Sequence, residues 1–250
     1  MPLVHGRQIP KKLTALALIL ALFASETTQA QAKALKTSFM PEMANPLMQM
    51  QTDFDLPANY TETAFTTLKK SGDIHILHAA FYTSRYDWTR YYNPLTDKTI
   101  SWHYRIRYKI TPQQEQSAEK VIKRLAAKAK KIKSKRKRAE YIYSSVIRNV
   151  KYKTGTPYNY TSYGALIKKK ACCQGIADAF VMTCDKAGIP AKFVIGKTGK
   201  NEKIGAHIWA RIKIGGKWYE CDPTWDVGWA KHMYFMRSKK DFRKLSHYYK

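Results

Sequence analysis

The sequence is poor in acidic residues, poor in cysteine, and has no long apolar run. Asp and Glu number 18 against 45 Lys and Arg in 250 residues, a formal net charge of +27. That imbalance suits polyanionic surroundings, with anionic cell-wall polymer, lipid headgroups or nucleic acid as candidates. A solvated, Lys-rich surface carries the same charge, and composition does not separate the two. The four cysteines, Cys172, Cys173, Cys184 and Cys221, are too few for a disulfide-scaffolded fold. No Cys-x-x-Cys pair occurs, and the adjacent Cys172-Cys173 dipeptide is a poor chelate, so neither a metal nor another cofactor is expected. If one cysteine is a nucleophile, three remain, which leaves a free thiol or an intermolecular bridge and the pairing of Cys172, Cys184 and Cys221 open.

The longest apolar stretch, Leu13 to Ala24, is well short of the roughly 20 residues that span a bilayer. Arg7, Lys11 and Lys12 precede it, and Ala30-Gln31-Ala32 follows with small residues at the two positions a signal peptidase reads. Residues 1–32 are therefore expected to be a signal peptide of bacterial style. The mature protein is expected to be soluble and outside the cytoplasm, secreted or associated with the cell envelope. Its removal takes away Arg7, Lys11, Lys12 and Glu26 and leaves a charge of +25. What is present argues for a core: 44% of residues are hydrophobic and six are tryptophan, in a length that fits one domain with a smaller appendage.

Residues 33–70 show no clear period and read as a poorly ordered lead. Asp73 to Ser84 fits a helix or a strand equally. Ile100, Trp102, Tyr104, Ile106, Tyr108 and Ile110 alternate on one face, which predicts a strand. Thr111-Pro112 then carries the cap and first-position proline of a helix start, and Glu119 to Lys131 is strongly helical. The basic run from Lys130 to Arg138, KKIKSKRKR, lacks interleaved aromatics and reads as a solvated helix end or linker rather than a nucleic-acid patch. A second helix follows with Ala139, Tyr143, Val146, Ile147 and Val150 on one face, then a loop from Lys153 to Tyr160.

The chemistry concentrates downstream. Positions 173, 177, 180 and 184 fall at helical spacing, and Gly188 with Pro190 stops that helix. Cys173 is thus predicted at a helix N-terminus, where unpaired N–H groups and the positive helix end favour a thiolate and can serve an oxyanion. Ala191 to Gly196 reads as a strand. Ala206 to Ile214 alternates, with His207, Trp209 and Arg211 on one face, and Gly215-Gly216 reads as a two-residue hairpin turn. Counting back from that turn pairs Ile214 with Lys217 and Trp209 with Asp222, which makes His207 a diagonal neighbour of Asp222 on the same face. A three-residue turn would separate them. Cys173 as nucleophile, His207 as base and Asp222 as orienting acid make up a Cys-His-Asp acyl-transfer site.

The blocks Ala171-Cys-Cys-Gln-Gly-Ile-Ala177, Gly188-Ile-Pro190, Ala206-His-Ile-Trp209 and Lys217-Trp-Tyr-Glu-Cys-Asp-Pro-Thr-Trp-Asp226 together resemble the transglutaminase-like superfamily, especially its small exported bacterial members. Arg148 to Tyr152, Ser162 to Leu166 and Tyr234 to Ser238 resemble its flanking segments, so the likeness covers residues 138–240. The resemblance selects Cys173 over Cys172, two residues before the glycine, and matches His207 and Asp222 to the family's base and acid. Ile176, Ile208 and Ala210 depart from the residues common at those positions. By the same resemblance, Tyr163 and Trp209 are candidate oxyanion or substrate-orienting groups. From the residues alone, Trp209, Trp218 and Trp225 read as wall and core, Cys172, Cys184 and Cys221 as core, and His75, His78, His103, His232 and His247 are assigned no role.

The resemblance implies an α+β, papain-like fold in which the nucleophile helix packs on an antiparallel sheet, with a small N-terminal extension. The expected division is 1–32 signal peptide, 33–110 lead and strand-containing extension, and 111–250 catalytic domain. The expected activity is attack on a peptide or protein amide through a thioester, with water or an amine as acceptor. No calcium-loop pattern is present. The expected substrate is a peptide or protein, with cell-wall peptide one candidate, and anionic wall polymer or a membrane surface is a candidate partner of the positive charge. Two rivals stand beside this: a non-catalytic basic module that binds wall polymer, and a nucleic-acid binder built on residues 130–138.

Overall fold

Alternating side chains build two separate antiparallel sheets in the computed structural model, which describes residues 5–6, 40–60, 64–68, 70, 72–199, 204–228, 232–245 and 247–249. The chain divides into two compact units, Met1–Tyr108 and Lys109–Lys250. The expected signal peptide lies outside the described residues, apart from His5–Gly6.

The first unit contains β1 (His5–Gly6), α1 (Met40–Met48), β2 (Asp53–Pro57), α2 (Ala64–Leu68), α3 (Ile74–Tyr82), β3 (Thr83–Tyr92) and β4 (Thr99–Tyr108). Its sheet has the order β1-β3-β4-β2 and is antiparallel throughout. The undecided stretch from Asp73 is a helix that runs straight into a strand. Asp73 caps it by accepting from the N–H groups of His75 (2.8 Å) and Ile76 (3.2 Å), and Thr83 leaves it in an extended conformation. The predicted strand at 100–110 is β4, with Trp102, Tyr104 and Ile106 buried. The expectation of a disordered lead is corrected within 40–60. Phe54 and Leu56 alternate inward along β2, and Met43 and Leu47 of α1 join them in one core with Phe65 and Tyr104. Each of these elements is too short to show a period on its own; its burial comes from the sheet it joins.

The second unit contains α4 (Pro112–Lys130), α5 (Lys135–Ile147), β5 (Lys151–Tyr152), β6 (Lys170–Ala171), α6 (Cys173–Lys186), β7 (Ala191–Thr198), β8 (Ile204–Ile214), β9 (Lys217–Cys221), α7 (Lys239–Lys244) and β10 (His247–Tyr249). Thr111 and Gln114 close a capping box with Pro112 at the first helical position of α4. The basic run spans the end of α4, the link and the first turn of α5, which Ser134 caps. Its last residue, Arg138, donates to the carbonyls of Ile132 (3.0 Å) and Ala187 (3.2 Å), so it ties that link to the end of α6.

Helix α6 lies at the centre, packed against α4 and α5 on one side and β7 and β8 on the other. Ile176, Ala177, Ala179, Phe180, Val181 and Cys184 are buried along it. The sheet has the order β10-β7-β8-β9, all antiparallel. This mixed helix-and-sheet architecture is the expected α+β, papain-like arrangement. Gly215 (φ 55°) and Gly216 (φ 80°) form the two-residue turn, left-handed positions that favour glycine. Ile214 pairs with Lys217 and the register holds to Ala210 with Cys221.

Candidate active site

The start of α6 is held by backbone. Cys172, its cap, donates its N–H to the carbonyl of Asn159 (2.9 Å), and its own carbonyl accepts from Ile176 (3.1 Å). Buried Asn159 donates its side-chain amide to the carbonyl of Lys170 (2.8 Å), while Gln174 donates to that of Tyr160 (2.9 Å). Buried Asp178 accepts from the N–H of Ser162 (3.0 Å). The segment 159–162 thus clasps the first turn of the helix. Gly175 makes the approach feasible: a Cβ there would sit 2.6 Å from the carbonyl oxygen of Asn159 and 2.7 Å from that of Thr161. That is the physical content of the glycine two residues after Cys173.

Cys173 is partly exposed and Cys172 is buried. The two thiols are hydrogen-bonded to each other, and His207 is hydrogen-bonded to Cys173. Cys172 is lowered to about 7: the hydrogen bond from Cys173 favours its thiolate, burial opposes it, and the N–H groups of Gly175 and Gln174 add to the first effect. Cys173 is raised by the same hydrogen bond and by burial, while His207 pulls it back down. The pair therefore shares one easily lost proton, because a second thiolate in contact with the first is strongly disfavoured. Of the four cysteines, Cys173 is the one that is partly exposed and hydrogen-bonded to His207.

His207 on β8 is opposite Gly196 of β7, so no side chain on the facing residue crowds its ring. Its Nε2 is 2.6 Å from Oδ2 of Asp222, which follows β9 directly, and this leaves Nδ1 for Cys173. Burial alone would lower His207, but the Asp222 charge and hydrogen bond outweigh it and raise the ring to about 10. Burial alone would raise Asp222; the His207 charge and hydrogen bond, with a hydrogen bond from His247, hold it far below the usual carboxylate range. Its other oxygen accepts from the N–H of Thr224 (2.9 Å). The structure thus brings Cys173, His207 and Asp222 together.

It does not bring the two proposed helpers into the same role. Trp209 is fully buried, and its indole N–H donates to Glu220 Oε2 (2.8 Å), whose other oxygen accepts from Arg211 (2.8 Å). This corrects the expectation that Trp209 meets substrate: it is the wall behind the His207 ring, 6.1 Å away between ring centroids. Tyr163 is buried beside Tyr158 and under Lys168. Tyr152 instead hydrogen-bonds Cys173, and is raised by burial and by the charges of Cys173 and Cys172. At 56% exposure it is open to a bound molecule. The flanking block Arg148 to Tyr152 contained that tyrosine, but no pattern in it pointed at the thiol.

Asp226, four residues past Asp222, is structural. Its carboxylate accepts from the N–H groups of Met233 and Tyr234 (both 2.9 Å) and from the Tyr143 hydroxyl (2.6 Å). The residue sequence reasoning missed outright is His247, whose Nε2 is 2.9 Å from the same Asp222 oxygen. His207, Asp222 and His247 could in principle hold a metal ion, with ligand atoms within 4.8 Å of one another. Their 2.6 and 2.9 Å contacts are hydrogen-bond lengths. Ligands at opposite ends of tetrahedral zinc bonds sit roughly 3.3 Å apart.

Residues 103–223 match the family model described as the transglutaminase-like superfamily. Over this segment, just under half of the chain, the sequence is similar to that superfamily. Cys173, His207 and Asp222 all fall within the matched segment. No curated protein matches the chain significantly. Among solved structures, a TGase aligns with 16% identity over 75% of this chain and 54% of its own, at a TM-score of 0.40. A Cytophaga hutchinsonii protein described as a candidate cysteine protease aligns with 15% identity over 66% of both chains, at 0.41. The periplasmic domain of TgpA from Pseudomonas aeruginosa aligns with 15% identity over 52% of this chain and 56% of its own, at 0.37. This chain therefore spans about half the length of the TGase and of the TgpA domain.

Proposed function

We propose that this protein is a secreted or envelope-associated transglutaminase-like enzyme that attacks peptide or protein amides with Cys173 and passes the acyl group on through a thioester. The carrying observation is His207 Nε2 fixed on buried Asp222 at 2.6 Å while the same ring hydrogen-bonds Cys173 at the start of α6. Cys173 gives its proton to His207 Nδ1 and its sulfur attacks the amide carbonyl. Asp222 stabilises the imidazolium that forms. The tetrahedral oxyanion falls beside the positive N-terminal end of α6. His207 then protonates the leaving amine, and the thioester remains on Cys173. Water or a second amine, deprotonated by His207, releases the acyl group; the acceptor decides between hydrolysis and crosslinking.

Cell-wall peptide is one candidate substrate within that class, a reading supported by the basic, then apolar N-terminal pattern of residues 7–32 and by the +27 charge. The test is mass spectrometry of the protein after incubation with peptide and amine libraries. An acyl adduct on Cys173, absent from C173A and H207Q, with hydrolysed or transamidated product, is the expected result. Binding of anionic wall polymer with no adduct and no selective labelling of Cys173 would replace the enzyme reading with that of a non-catalytic module.

A further inference from the structure

The second histidine on Asp222 carries an inference of its own. His247 opens β10, which pairs with one edge of β7 while β8 pairs with the other. His247 is opposite Thr198 and His207 opposite Gly196, so the two rings reach one carboxylate from the strands either side of β7. His247 is fully buried. Its Nδ1 is 2.9 Å from the carbonyl oxygen of Leu245 and its Nε2 2.9 Å from Asp222 Oδ2. The ring is thus engaged at both nitrogens, by a backbone carbonyl on one side and the carboxylate on the other. The rings of Phe242 (4.3 Å between centroids), Trp225 (4.7 Å) and Trp209 (5.3 Å) enclose it. The titratable groups that face it are Asp222, His207 and Tyr234.

We propose that His247 is a positioning residue that fixes Asp222 for its work on His207, making a relay of four groups rather than three. This rests on the reading of Cys173, His207 and Asp222 as an acyl-transfer triad. The physical reason is that Asp222 has to be held, not merely present. Thr224 N–H fixes one oxygen, and without His247 the other oxygen has His207 as its single side-chain donor. A fully buried carboxylate with a vacant lone pair turns to find a second donor, and the imidazole it orients turns with it. Outer hydrogen-bond partners of metal-ligating side chains change function about 10- to 100-fold when removed, and a loss of the same order is expected for this carboxylate.

The test uses two amides that divide the ring's two bonds. In H247Q the amide nitrogen stands where Nε2 stood and still donates to Asp222; in H247N it stands where Nδ1 stood and keeps only the bond to Leu245. The probe is iodoacetamide, with the alkylated residue located by mass spectrometry, the rate measured against pH, and thermal melting run on the same samples. The expected result is alkylation of Cys173 slowed about 10- to 100-fold in H247N with an altered pH profile, and within a few-fold of wild type in H247Q. Equal rates in H247N and H247Q, or a wild-type profile in H247N, would show a packing role and overturn the proposal. If wild-type Cys173 reacts no faster than the thiols of the denatured chain, the triad itself fails, and His247 has nothing to position. If H247N does not fold, H247Q alone decides, since loss of the profile despite a retained Asp222 donor also overturns the proposal.

Discussion

Replacing Gly175 by alanine puts the geometry of the nucleophile to a direct test. The added Cβ would meet the carbonyl oxygens of Asn159 and Thr161 at 2.6 and 2.7 Å and the nitrogen of Thr161 at 3.0 Å, where ordinary contact begins at 3.4 Å. All three are backbone atoms of a clasped segment, so no flexible side chain can yield. The first turn of α6 has to retreat by close to an ångström, and the bond from Cys172 N–H to Asn159 is stretched or lost. Overpacking of this kind costs about 1–3 kcal/mol, and the better helix propensity of alanine offsets at most about 1 kcal/mol. The melting temperature should therefore fall by about 2–8 °C. Function should fall much further, because a displacement of about 1 Å at a reacting group costs about 100-fold. The assay is iodoacetamide alkylation of Cys173 beside thermal melting, with G188A as control. Gly188 has nothing within 4 Å and a φ of +76°, so alanine there strains the stop of α6 without touching its start. G175A alkylating within a few-fold of wild type, or G188A losing as much rate as G175A, would refute the reasoning.

Three further outcomes follow from the same geometry. W209F should lower stability by about 2–4 kcal/mol, because a buried side chain shrinks and Glu220 loses its indole donor, yet leave Cys173 alkylation of the folded protein within a few-fold; a collapsed rate at unchanged melting temperature would return Trp209 to the substrate side. Y152F should slow acylation of Cys173 about tenfold, the effect of one lost hydrogen bond of about 1.4 kcal/mol, with no change in melting, since Tyr152 is half exposed; an unchanged rate would remove it from the site. His207 is raised above its ordinary value of 6.5 to about 10, so its pairing with Asp222 stabilises the fold fully below 6.5 and loses that effect as pH rises through about 10. The melting-temperature gap between wild type and H207Q should accordingly narrow over that interval, and a gap that widens with pH would contradict the assigned partner.

Much of the site was legible because it depends on local periodicity. Alternation along 206–214 and two glycines at 215–216 fix the faces and register of one hairpin, and an even two-residue turn puts His207 and Asp222 on one face. Helical spacing from Cys173 to Cys184 likewise places a thiol at the start of a buried helix. Position 163 against 152 was not legible, because which tyrosine reaches the thiol depends on where the 148–171 segment lies over α6, and no period encodes that. Short elements such as β2 and α1 were hidden for a related reason: β2 pairs with β4 about fifty residues further on, and α1 packs into the core that this sheet forms.

The sequence by itself determined the nucleophile helix, the histidine strand and the turn that sets Asp222 across from it, since each is written in neighbouring side chains. Only the tertiary structure decided that Trp209 is sealed behind Glu220, that Tyr152 stands beside Cys173, and that His247 closes on Asp222 from the far side of β7. Those contacts join residues 11, 21 and 25 positions apart through strand order and helix packing. Pairing a strand with a partner elsewhere in the chain is a property of the assembled sheet, and no local stretch of residues carries it.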